Sequence, residues 1–150
     1  MLRILGKIQR IGIITEPLPK IDEPALAEVG AQIKARLGEL FGGSLAIREV
    51  DAGSCNGCEL EIHALNNPYY GIERFGVHFV ASPRHADMLL VTGPVSRHMQ
   101  AALRRTYDAT PDPKLVIAVG ECGANGGEFG VSYASCGAVS NVIPVDAAIR

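Results

Sequence analysis

Leu26, Val29, Ile33, Leu37 and Leu40 recur three and four residues apart, the repeat of one face of a helix. Asp22 is placed to cap that helix and Gly42-Gly43 to stop it, with a proline-containing lead-in ahead of it. From residue 45 the pattern changes to short apolar runs bounded by glycine, proline and polar residues, alternating with helix-like segments. That alternation predicts a parallel sheet. The expected strands are Leu45–Val50, Val77–Ala81, Met88–Val91, Leu115–Val119 and Val142–Val145, and the expected helices among them are Asn56–Leu65 and Arg97–Tyr107. The change of pattern divides the chain into an N-terminal extension with its helix, residues 1–44, and an α/β domain, residues 45–150. No internal repeat or low-complexity tract interrupts either part.

Composition narrows the partners. The 150 residues are 47% hydrophobic and 20% charged, the balance of a chain that builds a core. A formal net charge of -2 and no run of Lys or Arg leave no electrostatic footprint for nucleic acid. The longest apolar stretches, such as Met88–Val91 and Leu115–Val119, fall far short of the roughly 20 residues that span a bilayer, so membrane association is expected through partners. The N-terminus MLRILGKIQR mixes charges among its apolar residues and makes a poor signal peptide. The expected place is the cytoplasm, where four cysteines read as metal ligands or redox thiols rather than disulfide staples.

The cysteines fall at telling positions. Cys55 and Cys58 follow the first expected strand in DAGSCNGCELEI, and Cys122 follows the fourth in AVGECGANGGEFG. Loops at the carboxyl ends of parallel strands converge, so a CxxC after one strand and a lone cysteine after another can meet. Thiolates gathered in this way suit soft metals and iron–sulfur clusters. Gly53 and Gly57 near the pair, and Gly120, Gly123, Gly126, Gly127 and Gly130 around Cys122, would let backbone approach a bulky cofactor and aim N–H groups at its sulfurs. Singly these are ordinary turn glycines; as a set around three cysteines they carry more.

The motifs CNGCELEIHALNNP, FVASPRHAD, VTGPV and GECGxxGG closely resemble the small, cluster-bearing subunit of energy-converting membrane-bound [NiFe]-hydrogenases of the formate hydrogenlyase type. They are also similar to the related 20 kDa subunit of complex I, and the resemblance runs from about Glu16 to Ile149. It implies a flavodoxin-like parallel sheet flanked by helices, and a [4Fe–4S] cluster held by two cysteines after the first strand, one in the glycine-rich loop and one in a later GCPP motif. Carried over, the first three ligands are Cys55, Cys58 and Cys122. Complex I subunits usually have the first two cysteines adjacent, and the spacing CNGC favours the hydrogenase side. Where the family continues into PGCPP, this sequence reads IPVDAAIR, so the iron–sulfur domain is expected to be truncated before its fourth ligand. Cys136 in SYASCGAVSNV is a candidate replacement, but it is not at the family's ligand position, and a small buried core residue is the preferred reading.

Glu59 and His63 stand four apart in the helix after CNGC and share a face, with Glu61 on another; the plain reading is a solvated or interface face. The resemblance implies a proton-transfer role for an acidic residue beside the cluster motif, and Glu61 aligns with the glutamate of complex I. Arg84 and His85, in ASPRHAD, are expected at the same carboxyl edge, where a positive charge would raise a cluster's reduction potential. An exposed basic turn is the alternative.

Nothing in the sequence provides a nucleophile with a positioned base or a dinucleotide fingerprint. The function the resemblance implies is electron relay in an oxidoreductase complex. Its implied partners are a hydrogenase large subunit or a homologous quinone-site subunit, ferredoxin-like subunits and membrane subunits. The implied place is peripheral, on the cytoplasmic side of the inner membrane. Two other classes stay open: a CxxC thiol–disulfide oxidoreductase, and a structural zinc module using the same thiolates.

Overall fold

The computed structural model describes residues 23–150 and, ahead of them, residues 6, 9, 10 and 12. Asp22, the proline-containing lead-in and the side chain of Leu26 lie outside the described residues. In chain order the elements are α1 (Glu23–Phe41), β1 (Leu45–Asp51), α2 (Gly57–Ala64), β2 (Val77–Phe79), β3 (Met88–Thr92), β4 (Val95–Ser96), α3 (Gln100–Ala109), β5 (Leu115–Val119), α4 (Gly120–Asn125), β6 (Ser135–Gly137) and β7 (Ala147–Ile149). Short 3₁₀ turns at Ile72–Phe75, Pro83–His85, Gly127–Phe129 and Val139–Asn141 fill the connections.

Five strands pair in parallel in the order β2-β1-β3-β5-β7. Counted within this sheet alone, that is the doubly wound order 2-1-3-4-5 of flavodoxin-like folds. Strands β4 and β6 form a separate antiparallel pair. Alternation along each strand builds two cores. Val50, Leu89, Val91, Val116 and Ala118 pack with Leu103 of α3, Val139, Ile143 and Cys136. On the opposite face Leu45, Ile47, Met88 and Leu90 pack with Leu37 of α1 and Ile62 of α2. Both faces are covered, which is why the central strand reads as the unbroken apolar run MLLV.

The register fixes the carboxyl edge. Asp51 lies beside Thr92, Thr92 beside Val119 and Val119 beside Ile149, so these four mark one row across the sheet.

Three expectations shift. The fifth strand is found at Ala147–Ile149 and not at Val142–Val145, because Pro144 has no N–H to donate and Val139 and Ile143 turn inward into the core. Pairing resumes at Asp146, which bonds Val116 through both its N–H and its carboxylate. Helix α3 starts at Gln100 rather than Arg97, because the Arg97 N–H donates to the Ala134 carbonyl and the Ser96 hydroxyl accepts from the Met99 N–H. Among the described side chains of α1 the buried positions are Gly30 and Leu37, two turns apart, while Val29, Ile33 and Leu40 are exposed. A Cβ at residue 30 would overlap the Phe75 ring, so it is the missing side chain of Gly30 that lets α1 lie down on the turn at Ile72–Phe75.

Candidate metal centre

β1 ends at Asp51, and the next few residues carry the first two cysteines. The Asp51 carboxylate accepts the N–H groups of Gly53 (2.8 Å) and Ser54 (3.0 Å), and the Ser54 hydroxyl accepts the N–H of Asn56 (3.1 Å). Asn56 adopts the left-handed conformation (φ 70), which asparagine tolerates better than most residues, and α2 starts after it. Cys55 is thereby left exposed on the loop and Cys58 half-buried in the first turn of α2.

The third cysteine comes from the other side of the sheet. β5 ends at Val119, and Gly120, with φ +74, turns the chain directly into α4, which carries Cys122. A Cβ on Gly120 would stand 2.7 Å from the Cys58 sulfur, and a Cβ on Gly127 would stand 2.7 Å from the Cys122 sulfur. Two thiols thus rest against bare glycine backbone. The loops interlock above the row of strand ends: Ser96 N–H donates to the Ala52 carbonyl at 2.7 Å, and a Cβ on Gly93 would meet the Gly123 Cα at 3.0 Å. Beside them lies a groove of about 210 Å³ lined by Gly53, Pro94, Ser96 and Phe129.

Burial pushes the Cys58 thiol above its ordinary value, and the neighbouring charges of Glu59, Cys55 and Cys122 push the same way. Cys58 of the CxxC therefore feels both Cys55 and Cys122. Mutual repulsion of this kind is what a bound cation relieves, since thiolate ligands must shed their protons to coordinate.

Among the described residues, no group of three or more His, Cys, Asp or Glu side chains is drawn tightly enough to hold a single metal ion. A tetrahedral zinc site requires every sulfur within about 2.3 Å of one point. In an iron–sulfur cluster each thiolate meets its own iron, so the donors stand around a larger body. Soft sulfur donors from two loops, with glycines where side chains would intrude, fit that kind of group.

The glycine set divides on inspection. The N–H of Gly53 is held by Asp51, that of Gly127 by the Asn125 side chain at 2.8 Å, that of Gly126 by the Cys122 carbonyl and that of Gly130 by the Gly126 carbonyl. These four donors are spent on loop shape and are not aimed at cluster sulfurs. What the site takes from Gly120 and Gly127 is space.

The remaining candidates part company. Cys136 is buried within the core cluster of β3, β5 and α3, and it is not among the groups acting on Cys58. Arg84 lies in the turn Pro83–His85, which packs against α3. The flanking backbone bonds run from Val80 to Ile47 and from Asp87 to Ala46, the amino-terminal half of β1, so Arg84 is not brought to the carboxyl edge with the cysteines. Glu61 is exposed. Glu59 does not lie on a solvated face: it is 5% exposed, and neither carboxylate oxygen has a hydrogen-bond partner.

Glu49, which sequence reasoning passed over, lies near Glu59 and 3.9 Å from the His63 imidazole. Its signal was available in the period of two along LAIREVD, which places Glu49 on the same face as Leu45 and Ile47, under α2. Asp51 and Asn125 were also missed, because Asx side chains that bond the backbone two residues on leave little trace in a pattern of apolar positions.

The chain is similar to known proteins. The chain is 39% identical over 146 residues to formate hydrogenlyase subunit 7 of Escherichia coli, covering 97% of this chain and 54% of that protein, so it spans about half the length of this relative. It is 47% identical over 112 residues to the probable membrane-bound hydrogenase subunit mbhJ of Pyrococcus furiosus, covering 75% of this chain and 67% of that protein. A chain in the structure of the membrane-bound sulfane sulfur reductase, an archaeal respiratory membrane complex, superposes with a TM-score of 0.62 at 35% identity, covering 80% of this chain and 63% of that one. The model of the NADH ubiquinone oxidoreductase 20 Kd subunit family matches residues 55–150, from the first cysteine of the site onward, and the chain belongs to that family.

Proposed function

We propose that this chain is the electron-transferring small subunit of a membrane-associated hydrogenase of the [NiFe] type, with Cys55, Cys58 and Cys122 as thiolate ligands of a [4Fe–4S] cluster. The observation that carries the reading is the seating of Cys58 against Gly120: it joins a CxxC loop after β1 to the Cys122 loop after β5, at the edge where doubly wound sheets place their sites. The CNGC spacing and the names of the relatives favour hydrogenase over a quinone oxidoreductase of the complex I kind.

Such a cluster supplies one-electron transfer. This chain's residues supply its seat: three thiolates from two loops, a bare backbone floor at Gly120 and Gly127, and a buried carboxylate, Glu59, one residue from Cys58. Bond-making chemistry belongs to a partner large subunit carrying the nickel–iron centre, and electrons leave through ferredoxin-like subunits. Phe129, Val131 and Tyr133, 66%, 69% and 98% exposed, follow the Cys122 loop and offer apolar surface for the partner beside the site. Among the described residues no helix is long and apolar enough to cross a membrane, so the association we propose runs through membrane subunits, on the cytoplasmic side.

A thiol–disulfide function would use the CxxC alone and leaves Cys122, seated against Gly127, without a role. The test is anaerobic purification of the full chain. Brown protein with iron and acid-labile sulfide is the expected result. Colourless protein with a redox-active dithiol, or with zinc, overturns the reading.

A further inference from the structure

Asp51 does more at this site than end a strand. One of its oxygens accepts from both Gly53 and Ser54, and no other hydrogen bond among the described residues reaches those two N–H groups. Ser54, tied to this carboxylate by its N–H, in turn holds Asn56 through its hydroxyl. The shape of the loop from Ala52 to Asn56, with Cys55 inside it, thus hangs on one carboxylate. Asn125 performs the matching task for the Cys122 loop through Gly127, but without a charge. The two loops therefore differ electrostatically although both are held by the same kind of bond. The carboxylate is bound to the residue immediately before Cys55, so its charge is fixed at the base of the loop that carries that ligand. An electron added nearby is disfavoured by such a charge.

The geometry points to Asp51 as a positioning residue: it presets the Cys55 loop for the cluster and, through its fixed negative charge, keeps the cluster's reduction potential low. This inference rests on the cluster reading above. The N–H bonds that shape the loop also hold the Asp51 carboxyl below its ordinary value, so the charge is present at neutral pH.

Two substitutions of the full chain separate the two parts of the proposal. Asp51→Asn keeps an oxygen acceptor and removes the charge. It should bind iron and sulfide as the wild type does and give a more positive midpoint potential in an anaerobic redox titration; an unchanged potential overturns the electrostatic part. Asp51→Ala removes the acceptor as well. In the iron-free protein it should speed amide hydrogen exchange at Gly53 and Ser54 many-fold, leave the sheet amides of Val91 and Val116 protected, and reduce iron uptake. Unchanged exchange at Gly53 and Ser54 overturns the positioning part. If the wild type takes up neither iron nor sulfide, the cluster reading fails and takes the potential with it, while the exchange measurement still decides whether Asp51 holds the loop.

Discussion

Cys58 and Gly120 meet across the sheet: a side chain at residue 120 would begin 2.7 Å from the Cys58 sulfur. Gly120 also has φ +74, a conformation that costs an L-residue about 1–2 kcal/mol. Gly120→Ala should therefore displace Cys58 and lower the iron bound per chain. Gly38→Ala, in α1 where nothing lies within 4 Å of the new methyl, should leave iron content unchanged and stabilise the helix by about 0.5–1 kcal/mol. Iron and sulfide analysis of both variants, with thermal unfolding, makes the comparison.

The four cysteines should separate three to one. Serine at 55, 58 or 122 replaces a soft thiolate with a harder, weaker ligand and should abolish or strongly reduce the cluster's visible absorption and its low-temperature paramagnetic signal. Cys136→Ser should keep both. Its effect belongs in the stability, because it places a hydroxyl in the core cluster that includes Val91 and Val116, with an expected loss of about 1–3 kcal/mol in denaturant unfolding.

How far the sequence alone reaches is visible in these residues. The parallel order and the two covered faces follow from runs such as MLLVT and LVIAV, whose apolar continuity admits little else. The convergence of Cys55, Cys58 and Cys122 follows from their places after β1 and β5. Arg84 could not be placed in the same way, because a short loop after β2 can run back along β1 as easily as extend beyond it; the bonds of Val80 and Asp87 to β1 decide the matter. The burial of Glu59 was hidden for a related reason. Helical spacing tells which residues share a face, but not which face α2 turns to the sheet.

Glu49 carries a pH signature. Burial lifts its carboxyl above 4.5, with Glu59 and Asp51 pushing the same way and His63 and Arg48 opposing. The folded state then binds this proton more tightly than the unfolded chain does, so the stability it contributes is fully present below pH 4.5 and is lost as pH rises through the folded value. Glu49→Gln removes the titration. The variant should melt higher than the wild type at neutral pH and show no such advantage below pH 4.5. A wild-type advantage at neutral pH would mean that the His63 contact outweighs burial.

The seat of α1 can be probed at Gly30. Gly30→Leu forces a side chain into the Phe75 ring, and overpacking of this kind costs about 1–3 kcal/mol. Phe75→Ala in the same chain opens the space. The double variant should therefore be less destabilised than the sum of the two single changes, a coupling that a double-mutant cycle in denaturant reads directly.

The thiol of Cys58 carries a pH signature that can be read without any metal present. Burial is the largest influence raising it, Glu59 the next, and the neighbouring thiols add to both. A raised value means less thiolate at any given pH, and the thiolate is the species that alkylates. In the iron-free, reduced chain, iodoacetamide should modify the exposed Cys55 before Cys58, and the Cys58 rate should keep climbing as pH passes 9.0, the ordinary value for the group. Glu59→Gln removes one of the charges that oppose ionisation and should shift the Cys58 profile toward lower pH, while burial keeps part of the lag. With the cluster assembled, Cys55, Cys58 and Cys122 should be protected together. Mass spectrometry of the labelled peptides follows every site in one experiment. If iron and sulfide give the three cysteines no protection, and the chain turns over a disulfide substrate, this edge of the sheet is a redox-active dithiol and the cluster assignment falls.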